Sequence, residues 1–460
     1  MKDRILILIN SYRDPHLMDT IRFFKDNAVH PERVSFIICL QDDDPVIREK
    51  LCARDDCDVI YANPQEHISL GSAYNLLREK CAGRDEEYAL FTEPHVYAVS
   101  GWDEYHIREL KRLGDRAVIS NYLREFSYDD LPVTPERGCC IGVIGILESR
   151  HVHIQAGRYI TEHHSVRGCF VIENNVFGRL SYIRDCPIDP HMYLNISEAY
   201  LSLQLFTHGY DVYHTREMYL YHYYVTTSDS KKKTEDNERL SGGDYLRMMD
   251  ATEGGPRMRK YLGLIGDDNR DLDLGEYVPG RARTVYAFEQ FAGIDFATRK
   301  ISKAAFSGNY LNDRRPVLDY LSLVLYYRER RASDEDYKAL IKLGGEKLEQ
   351  RRQAIVKTLK ETADGVYLYS DGKVSQFLRE LLVYDGVLVK GYIVPEKKVD
   401  EREGVPVFVP DEIAEDRPLV LVPVRGASST GTRILESERG WRVMRIDPDT
   451  VTILLMGLYQ

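Results

Sequence analysis

The chain has 460 residues, too many for a single hydrophobic core, so two or three domains are expected. Its composition, 43% hydrophobic and 29% charged residues, is typical of a globular protein and excludes the disordered and fibrous classes. A formal net charge of −11 argues against a nucleic-acid-binding protein, whose surface would be basic. We therefore expect no nucleic-acid partner.

Signals for a membrane location or for disulfide bonding are weak. The apolar run at residues 5–9 is too short for the core of a signal peptide, and no run is long enough to span a membrane. All eight cysteines lie between Cys39 and Cys186 without the paired spacing of a zinc site, so reduced thiols are expected. These features predict a cytoplasmic protein with no integral membrane segment.

The first hundred residues alternate short apolar runs with amphipathic stretches. Strands are predicted at residues 5–9, 34–40, 59–61 and 88–92, and helices at residues 18–25, 46–52 and 71–81. This alternation predicts a largely parallel sheet covered by helices on both faces. Because ligands bind outside the carboxyl ends of such strands, the polar segments 10–14, 41–44 and 93–95 are candidate site segments.

The rest of the chain changes character twice. Residues 137–224 carry less regular strands and one clear helix at 197–208, and residues 243–362 are mostly helical in pattern. The last hundred residues return to the first rhythm, with predicted strands at 366–369, 387–394, 419–424 and 441–446 and a helix at 374–382. We predict three parts: a catalytic domain at 1–300, a helical linker at 301–362 and a small Rossmann-like α/β domain at 363–460.

A candidate metal site follows the fourth predicted strand. Glu93 and His95 are two residues apart at a strand end, so their side chains point to the same side. Such a pair suits a divalent cation that bridges a diphosphate. His222, inside the aromatic run LYHYY, is the candidate third ligand. The spacing alone leaves open a surface pair or a helix cap.

The segment SYRDP at residues 11–15, directly after an apolar strand, carries a family resemblance. It resembles the opening of the cytosolic protein N-acetylglucosaminyltransferases, protist-type enzymes that modify hydroxyproline in proteins. The family's Asp-x-His, followed at a fixed distance by Trp-Asp, falls without a gap on Glu93, His95, Trp102 and Asp103. Glutamate thus stands where the family has aspartate.

Later segments continue this resemblance in the same order. The family's Asp-Pro segment falls on residues 188–190, its Thr-His-Gly-Tyr-Asp on 207–211, and its terminal histidine on His222. A last similarity runs through residues 275–296. The resemblance therefore covers about residues 4 to 300 and rests on the order and spacing of short segments.

The resemblance implies a fold, a reaction and a donor site. It implies a GT-A fold, in which a Rossmann-like nucleotide half joins an acceptor half, and a transferase that moves N-acetylglucosamine or a related sugar from a UDP-sugar to a hydroxyl. The acceptor would be a protein or a glycan. The implied donor contacts are Ser11, Tyr12 and Arg13 around the uridine, with Gln41 and Asn75 as further contacts and Gly168 close to the sugar. The implied cofactor is Mn²⁺ (or Mg²⁺), held by Glu93, His95 and His222.

Glu198 is the candidate catalytic residue. It stands at the start of a predicted helix, where a carboxylate could orient the acceptor hydroxyl or stabilise positive charge on the sugar. The alternative is that Ser197 and Glu198 serve only the helix N-terminus, where acids are favoured. The resembling family commonly has two adjacent acids here. Gly168 is likewise consistent with an ordinary tight strand connection.

The last predicted domain lacks the glycines of a dinucleotide site. Its segment YSDGKVS at residues 369–375 retains only Gly372 of the pattern G-x-G-x-x-G. We interpret the domain as degenerate, serving homo-oligomer assembly or acceptor positioning. Two other functions stay open: a GT-A-fold protein that has lost catalysis and binds a nucleotide or glycan, and an NAD-linked enzyme built on this domain.

Overall fold

The computed structural model describes residues 2–66, 68–192, 196–224, 254–311, 314–315, 318–319, 345–402, 404–423, 435–437, 439–447, 450–451 and 453–454. The chain divides into two compact units: Met1–Arg299 with Lys303–Arg315, and Lys300–Ser302 with Pro316–Gln460. Much of the predicted linker at 301–362 lies outside the described residues. The predicted limits at residues 300 and 362 stay predictions.

The first unit is built from strands and helices in alternation. Its strands are β1 (Ile5–Tyr12), β2 (Val34–Gln41), β3 (Cys57–Tyr61), β4 (Tyr88–Thr92), β5 (Val96–Ala98), β6 (Ala117–Ile119), β7 (Glu136–Arg137), β8 (Cys139–Ile146), β9 (Val152–Tyr159), β10 (Val166–Arg167), β11 (Val176–Arg179), β12 (Asp211–His214), β13 (Glu217–Met218), β14 (Leu220–His222) and β15 (Ile294–Asp295). Its helices are α1 (Leu17–Asp26), α2 (Pro45–Cys52), α3 (Leu70–Lys80), α4 (Trp102–Leu113), α5 (Ser181–Asp185), α6 (Ile196–Thr207), α7 (Gly254–Tyr261), α8 (Val285–Ala292) and α9 (Lys303–Ser307).

An eight-stranded sheet in the order β10-β12-β6-β11-β4-β1-β2-β3 forms the centre of this unit. Strands β1, β2, β3 and β4 of this sheet are mutually parallel, as the sequence predicts. Strand β11 runs antiparallel to both β4 and β6, so the complete sheet is mixed. Because β4 and β6 both oppose β11, they run in the same direction, and their carboxyl ends lie at the same edge of the sheet.

Burial explains why the first segment folds in this way. β1 carries an unbroken apolar run whose side chains are buried on both faces, which is typical of a central parallel strand. In α1, the buried residues Leu17, Ile21 and Phe24 recur at helical spacing and pack in the same core. Trp102 packs edge-on against Phe24 at 5.0 Å between ring centroids and donates its indole N–H to the Phe24 carbonyl at 3.0 Å.

Two aspartates in the segments that carry the family resemblance stabilise the fold through hydrogen bonds and ion pairs. Asp103 accepts hydrogen bonds from the backbone N–H groups of Val29 and His30, at 2.9 and 3.0 Å. Asp211 forms ion pairs with Arg167 and Arg283, at 2.5 and 2.6 Å. The Trp-Asp pair and the last aspartate of Thr-His-Gly-Tyr-Asp therefore have structural roles.

The second unit contains a smaller sheet. The described elements of this unit are β16 (Lys300–Ile301), β17 (Leu318–Asp319), α10 (Gly345–Thr362), β18 (Val366–Tyr369), α11 (Lys373–Tyr384), β19 (Val389–Ile393), β20 (Glu401–Arg402), β21 (Val405–Phe408), β22 (Leu419–Pro423) and β23 (Arg442–Ile446). The order of this sheet is β20-β21-β19-β18-β22-β23, and of the described strand pairs within it only β20–β21 is antiparallel. The five parallel strands thus follow the order 3-2-1-4-5 of a doubly wound fold. The predicted Rossmann-like module is confirmed.

Candidate active site

The candidate metal ligands Glu93, His95 and His222 come together beside the carboxyl end of β4. Glu93 and His95 follow β4 directly, and His222 arrives because β14 pairs antiparallel with β5, which places it opposite Val96. One ligand atom from each of the three side chains lies within 4.8 Å of the other two. His95 Nε2 and His222 Nε2 approach Glu93 Oε2 at 3.4 and 3.8 Å. The structure therefore brings the whole predicted set into one cluster.

His95 is held in a strained and specific position. Its backbone has φ = 59°, a left-handed conformation that is rare for residues other than glycine and typical of functional sites. Its carbonyl accepts a hydrogen bond from the Tyr223 N–H at 2.9 Å, and its Nδ1 lies 2.7 Å from Asp14 Oδ2. With the proton on Nδ1 donated to Asp14, the Nε2 lone pair faces Glu93. This is the carboxylate–histidine arrangement that orients metal-binding imidazoles.

The charged groups of this cluster shift one another's pKa values. Burial alone would raise the pKa of Glu93, but hydrogen bonding and charge from His222 and His95 hold that pKa well below its ordinary value. Burial likewise opposes the charged form of His95, yet the Asp14 and Glu93 carboxylates raise its pKa above the ordinary value. The carboxylates thus attract positive charge to the imidazoles, and either a proton or a metal ion can supply that charge.

Asp14 is a functional candidate that the sequence analysis missed. Only 6% of its surface is exposed, and its other carboxylate oxygen accepts the His16 N–H at 2.9 Å, which fixes its rotamer. The residue lies in the SYRDP segment, but that segment was assigned to the nucleotide. Sequence spacing could not link Asp14 to His95, because 81 residues separate them.

We expect Asp14→Asn to weaken Mn²⁺ binding by roughly 10- to 100-fold, the usual cost of losing an outer-shell carboxylate. The amide keeps the shape but loses the charge that supports the His95 imidazole. Calorimetric titration of the full-length protein with Mn²⁺ measures the effect. Asp19→Asn is the control, because Asp19 pairs with Arg22 on the exposed face of α1. Equal Mn²⁺ affinity in Asp14→Asn and the wild-type protein would show that Asp14 does not support the ligand.

Four of the predicted donor contacts meet at the carboxyl ends of β1 and β2. The parallel register pairs Tyr12 with Gln41, and the Arg13 N–H donates to the Gln41 carbonyl at 3.1 Å. Arg13 has φ = 44°, and its guanidinium lies 3.2 Å from Asp43 on the surface. Within the described part of the chain, Ser11 Oγ and Gln41 Oε1 are buried without a hydrogen-bond partner. Such atoms at a strand edge are available to a ligand.

The remaining two predicted donor contacts lie elsewhere. Asn75, on α3, donates its amide to the Ile188 carbonyl at 2.6 Å and so holds the segment before α6. Gly168 follows β10, and an added Cβ would lie 2.2 Å from His214 Nε2. That close approach explains the glycine without a ligand. Gly168 is also separated from β1 by the strands β12, β6, β11 and β4, roughly 20 Å across the sheet. Donor contact by either residue stays a prediction.

Glu198 is buried on the first turn of α6, facing a second acid. Its Oε1 accepts the backbone N–H of Glu173 at 3.4 Å, a partner outside α6. Burial and the Glu93 carboxylate raise the pKa of Glu198 to about 8. Burial and Glu198 together raise the pKa of Glu173 well above its ordinary value, against a hydrogen bond from Ser197. Glu173 is not among the site residues predicted from sequence, and its only sequence signal is a polar triplet inside the apolar run FVIENNVF.

A comparison with models of protein families identifies the family to which this chain belongs. A family model described as "Glycosyltransferase (GlcNAc)" matches residues 47–298, more than half of the chain. The chain belongs to this glycosyltransferase family. The matched residues include Glu93, His95, Glu198 and His222. No curated protein matches the sequence.

The solved structures that match this glycosyltransferase are distant from it. The S. aureus TarS 1–349 structure is 10% identical with a TM-score of 0.32, covering 48% of this chain and 60% of that one. The same TarS region in complex with UDP is 9% identical with a TM-score of 0.33, covering 58% and 77%. The mannosyltransferase PcManGT from Pyrobaculum calidifontis, in complex with GDP-Man and Mn²⁺, is 9% identical with a TM-score of 0.30, covering 45% and 53%. This chain thus spans less than two thirds of the first TarS structure.

The predicted α/β fold class is confirmed for this glycosyltransferase: a mixed-sheet first part, in which the family match lies, and a smaller Rossmann-like α/β part. The hydroxyproline-type subfamily stays a prediction. All eight cysteines are free thiols, as predicted. Among the helices that the structure describes, none combines the length and apolar character needed to cross a membrane.

Proposed function

We propose that this glycosyltransferase moves N-acetylglucosamine, or a related sugar, from a UDP-sugar to a hydroxyl group on a protein or glycan. The convergence of Glu93, His95 and His222 supports the proposal most strongly. These residues meet beside the carboxyl end of β4, the edge at which sheets of this kind bind ligands. The proposed setting is the cytoplasm.

The three side chains fit a divalent cation. One carboxylate and two imidazoles form a mixed oxygen and nitrogen set, which suits ions such as Mn²⁺. Their ligand atoms lie within 4.8 Å of one another, close to the roughly 4.2 Å between opposite ligands of an ion with bonds of about 2.1 Å. A bound cation supplies charge neutralisation for the diphosphate leaving group. Asp14 would keep the His95 imidazole oriented.

The chain's own groups would bind the nucleotide and position the acceptor. Ser11 Oγ and Gln41 Oε1 lack protein partners among the described residues and would receive polar groups of the uridine. The Arg13 guanidinium, now paired with Asp43, would contribute positive charge next to them. Glu198, which is buried, accepts the Glu173 N–H and is influenced by the Glu93 charge, would orient the acceptor hydroxyl or, when ionised, stabilise positive charge that develops on the sugar.

A donor screen on the full-length protein tests this function. We expect UDP to bind in the presence of Mn²⁺, and UDP-GlcNAc or a related UDP-sugar to be hydrolysed slowly without an acceptor. Mass spectrometry of the products across UDP- and GDP-sugars, with Mn²⁺ and with EDTA, measures this. Binding without any turnover would instead indicate a nucleotide-binding protein of the same fold. Failure to bind UDP under any condition would overturn the proposal.

A further inference from the structure

A tight turn at residues 172–175 lies inside the protein, although most turns lie at the surface. The Asn175 N–H donates to the Ile172 carbonyl at 3.0 Å, which closes a β-turn with Glu173 and Asn174 at its centre. The exposed fractions of Glu173, Asn174 and Asn175 are 4%, 3% and 2%. Three consecutive polar side chains are thus removed from solvent in the interior of the first unit.

The backbone of this turn is fixed to the carboxyl edge of the large sheet. The Thr92 hydroxyl, at the last residue of β4, donates to the Asn174 carbonyl at 2.7 Å. The Ser120 hydroxyl, directly after β6, accepts the Ile172 N–H at 3.1 Å. The Glu173 N–H reaches Glu198 at 3.4 Å. The turn therefore lies between the residue that precedes Glu93 and the start of α6.

Each side chain of the turn has an oxygen atom that receives no hydrogen bond from the described residues. Within the described chain, Glu173 Oε1, Asn174 Oδ1 and Asn175 Oδ1 are buried without a hydrogen-bond partner. Leaving one buried acceptor unpaired costs about 1–3 kcal/mol, and native proteins contain few such atoms. Three at consecutive positions indicate that a ligand supplies the donors. Acceptor oxygens disfavour a phosphate, which brings only further acceptors at neutral pH, and favour a ligand rich in O–H groups.

We propose that the turn Glu173-Asn174-Asn175 binds the hydroxyl groups of the sugar that is being transferred. This inference rests on the proposed function, because the sugar adjoins the diphosphate that the Glu93, His95 and His222 cluster would hold. A sugar ring presents several O–H donors around its edge, and sites that pair with such groups discriminate strongly against sugars that lack them. Glu173 and its two neighbours would therefore determine donor-sugar specificity, while Ser11 and Gln41 would contact only the nucleotide.

Comparing UDP with UDP-GlcNAc tests this assignment, because the two ligands differ only by the sugar and its linkage. We expect Glu173→Ala in the full-length protein to lower the affinity for UDP-GlcNAc about tenfold or more, the loss of one or two hydrogen bonds. Its affinity for UDP should be unchanged. Calorimetry with Mn²⁺ measures both ligands, and circular dichroism with thermal unfolding checks the fold. Should Glu173→Ala not fold, Asn174→Ala and Asn175→Ala carry the same test, because each removes another unpaired acceptor oxygen of the turn, and the expected direction is the same.

The control is Gln376→Ala, which removes a buried amide of the second unit whose Oε1 also lacks a described partner. It should alter neither affinity. Equal losses for UDP and UDP-GlcNAc in folded turn variants would overturn the inference, because the turn would then support the whole site. Unchanged affinities for both would also overturn it and direct attention to the acceptor. If the wild-type protein bound neither ligand, the proposed function itself would fail, an outcome distinct from these two.

Discussion

His222→Ala is expected to abolish the Mn²⁺-dependent part of UDP binding. The substitution removes one of three ligands, and His222 is in the extended strand β14, where alanine introduces no backbone strain. The loss should be at least about 100-fold in the presence of Mn²⁺, above the 10- to 100-fold typical of losing an outer-shell partner. Calorimetry with UDP, performed with Mn²⁺ and with EDTA, separates this loss from damage to the nucleotide pocket. Binding in EDTA should equal that of the wild-type protein.

His95→Asn should give the same result by a different route. Asparagine tolerates the left-handed backbone at this position, where φ is 59°, so the variant tests the ligand rather than the strain. His30→Ala is the matched control, since His30 pairs with Glu104 near the protein surface. If both ligand variants fold and bind UDP with Mn²⁺ as the wild-type protein does, the metal assignment is wrong.

Glu198→Gln is expected to reduce turnover at least ~100-fold with little change in donor affinity. The amide keeps the size of the side chain and an oxygen that can accept the Glu173 N–H. Burial and the Glu93 carboxylate raise the pKa of Glu198 to about 8, so the site accepts a neutral side chain and the amide should preserve the fold. The amide cannot take up or release a proton near neutral pH as the carboxyl can, which is the reason for the expected loss of turnover. Steady-state kinetics with the donor found in the screen gives kcat, and calorimetry gives the donor Kd.

The control for this variant is Glu380→Gln, a buried acid on α11 in the second unit. Its kcat should match the wild-type value. A near-normal kcat in Glu198→Gln would assign Glu198 to the start of α6 and to the support of the Glu173 backbone. A loss of donor affinity equal to the loss of kcat would place it in binding instead of chemistry.

Several elements of the fold could be predicted from sequence because their signals are local. The strand predicted at 88–92 is β4, the strand predicted at 366–369 is β18, and the helix predicted at 197–208 is α6 shifted by one residue. Apolar runs and helical periodicity depend on neighbours within a few residues, so they are visible in one chain. The mixed character of the large sheet was not visible, because β11 enters between β4 and β6 from a distant segment.

The partners of the buried and half-buried aspartates could not be predicted from the sequence. Asp14, Asp103 and Asp211 all lie in family-like segments, yet the first contacts an imidazole, the second two backbone N–H groups and the third two arginines. A carboxylate accepts hydrogen bonds from each of these partners, so its residue type does not reveal which one it meets. Glu173 was missed because its partner Glu198 lies 25 residues further along the chain.

The two α/β modules, the resemblance to a glycosyltransferase family and the three candidate metal ligands could be predicted from the sequence, because each depends on residue type and order along the chain. The tertiary structure alone decided that Asp14 supports His95, that Gly168 packs against His214, and that a buried turn at Glu173 faces Glu198. These contacts depend on strand order and on the pairing of β5 with β14. The contacts and this strand pairing join residues 25 to 126 positions apart, beyond the reach of any local pattern.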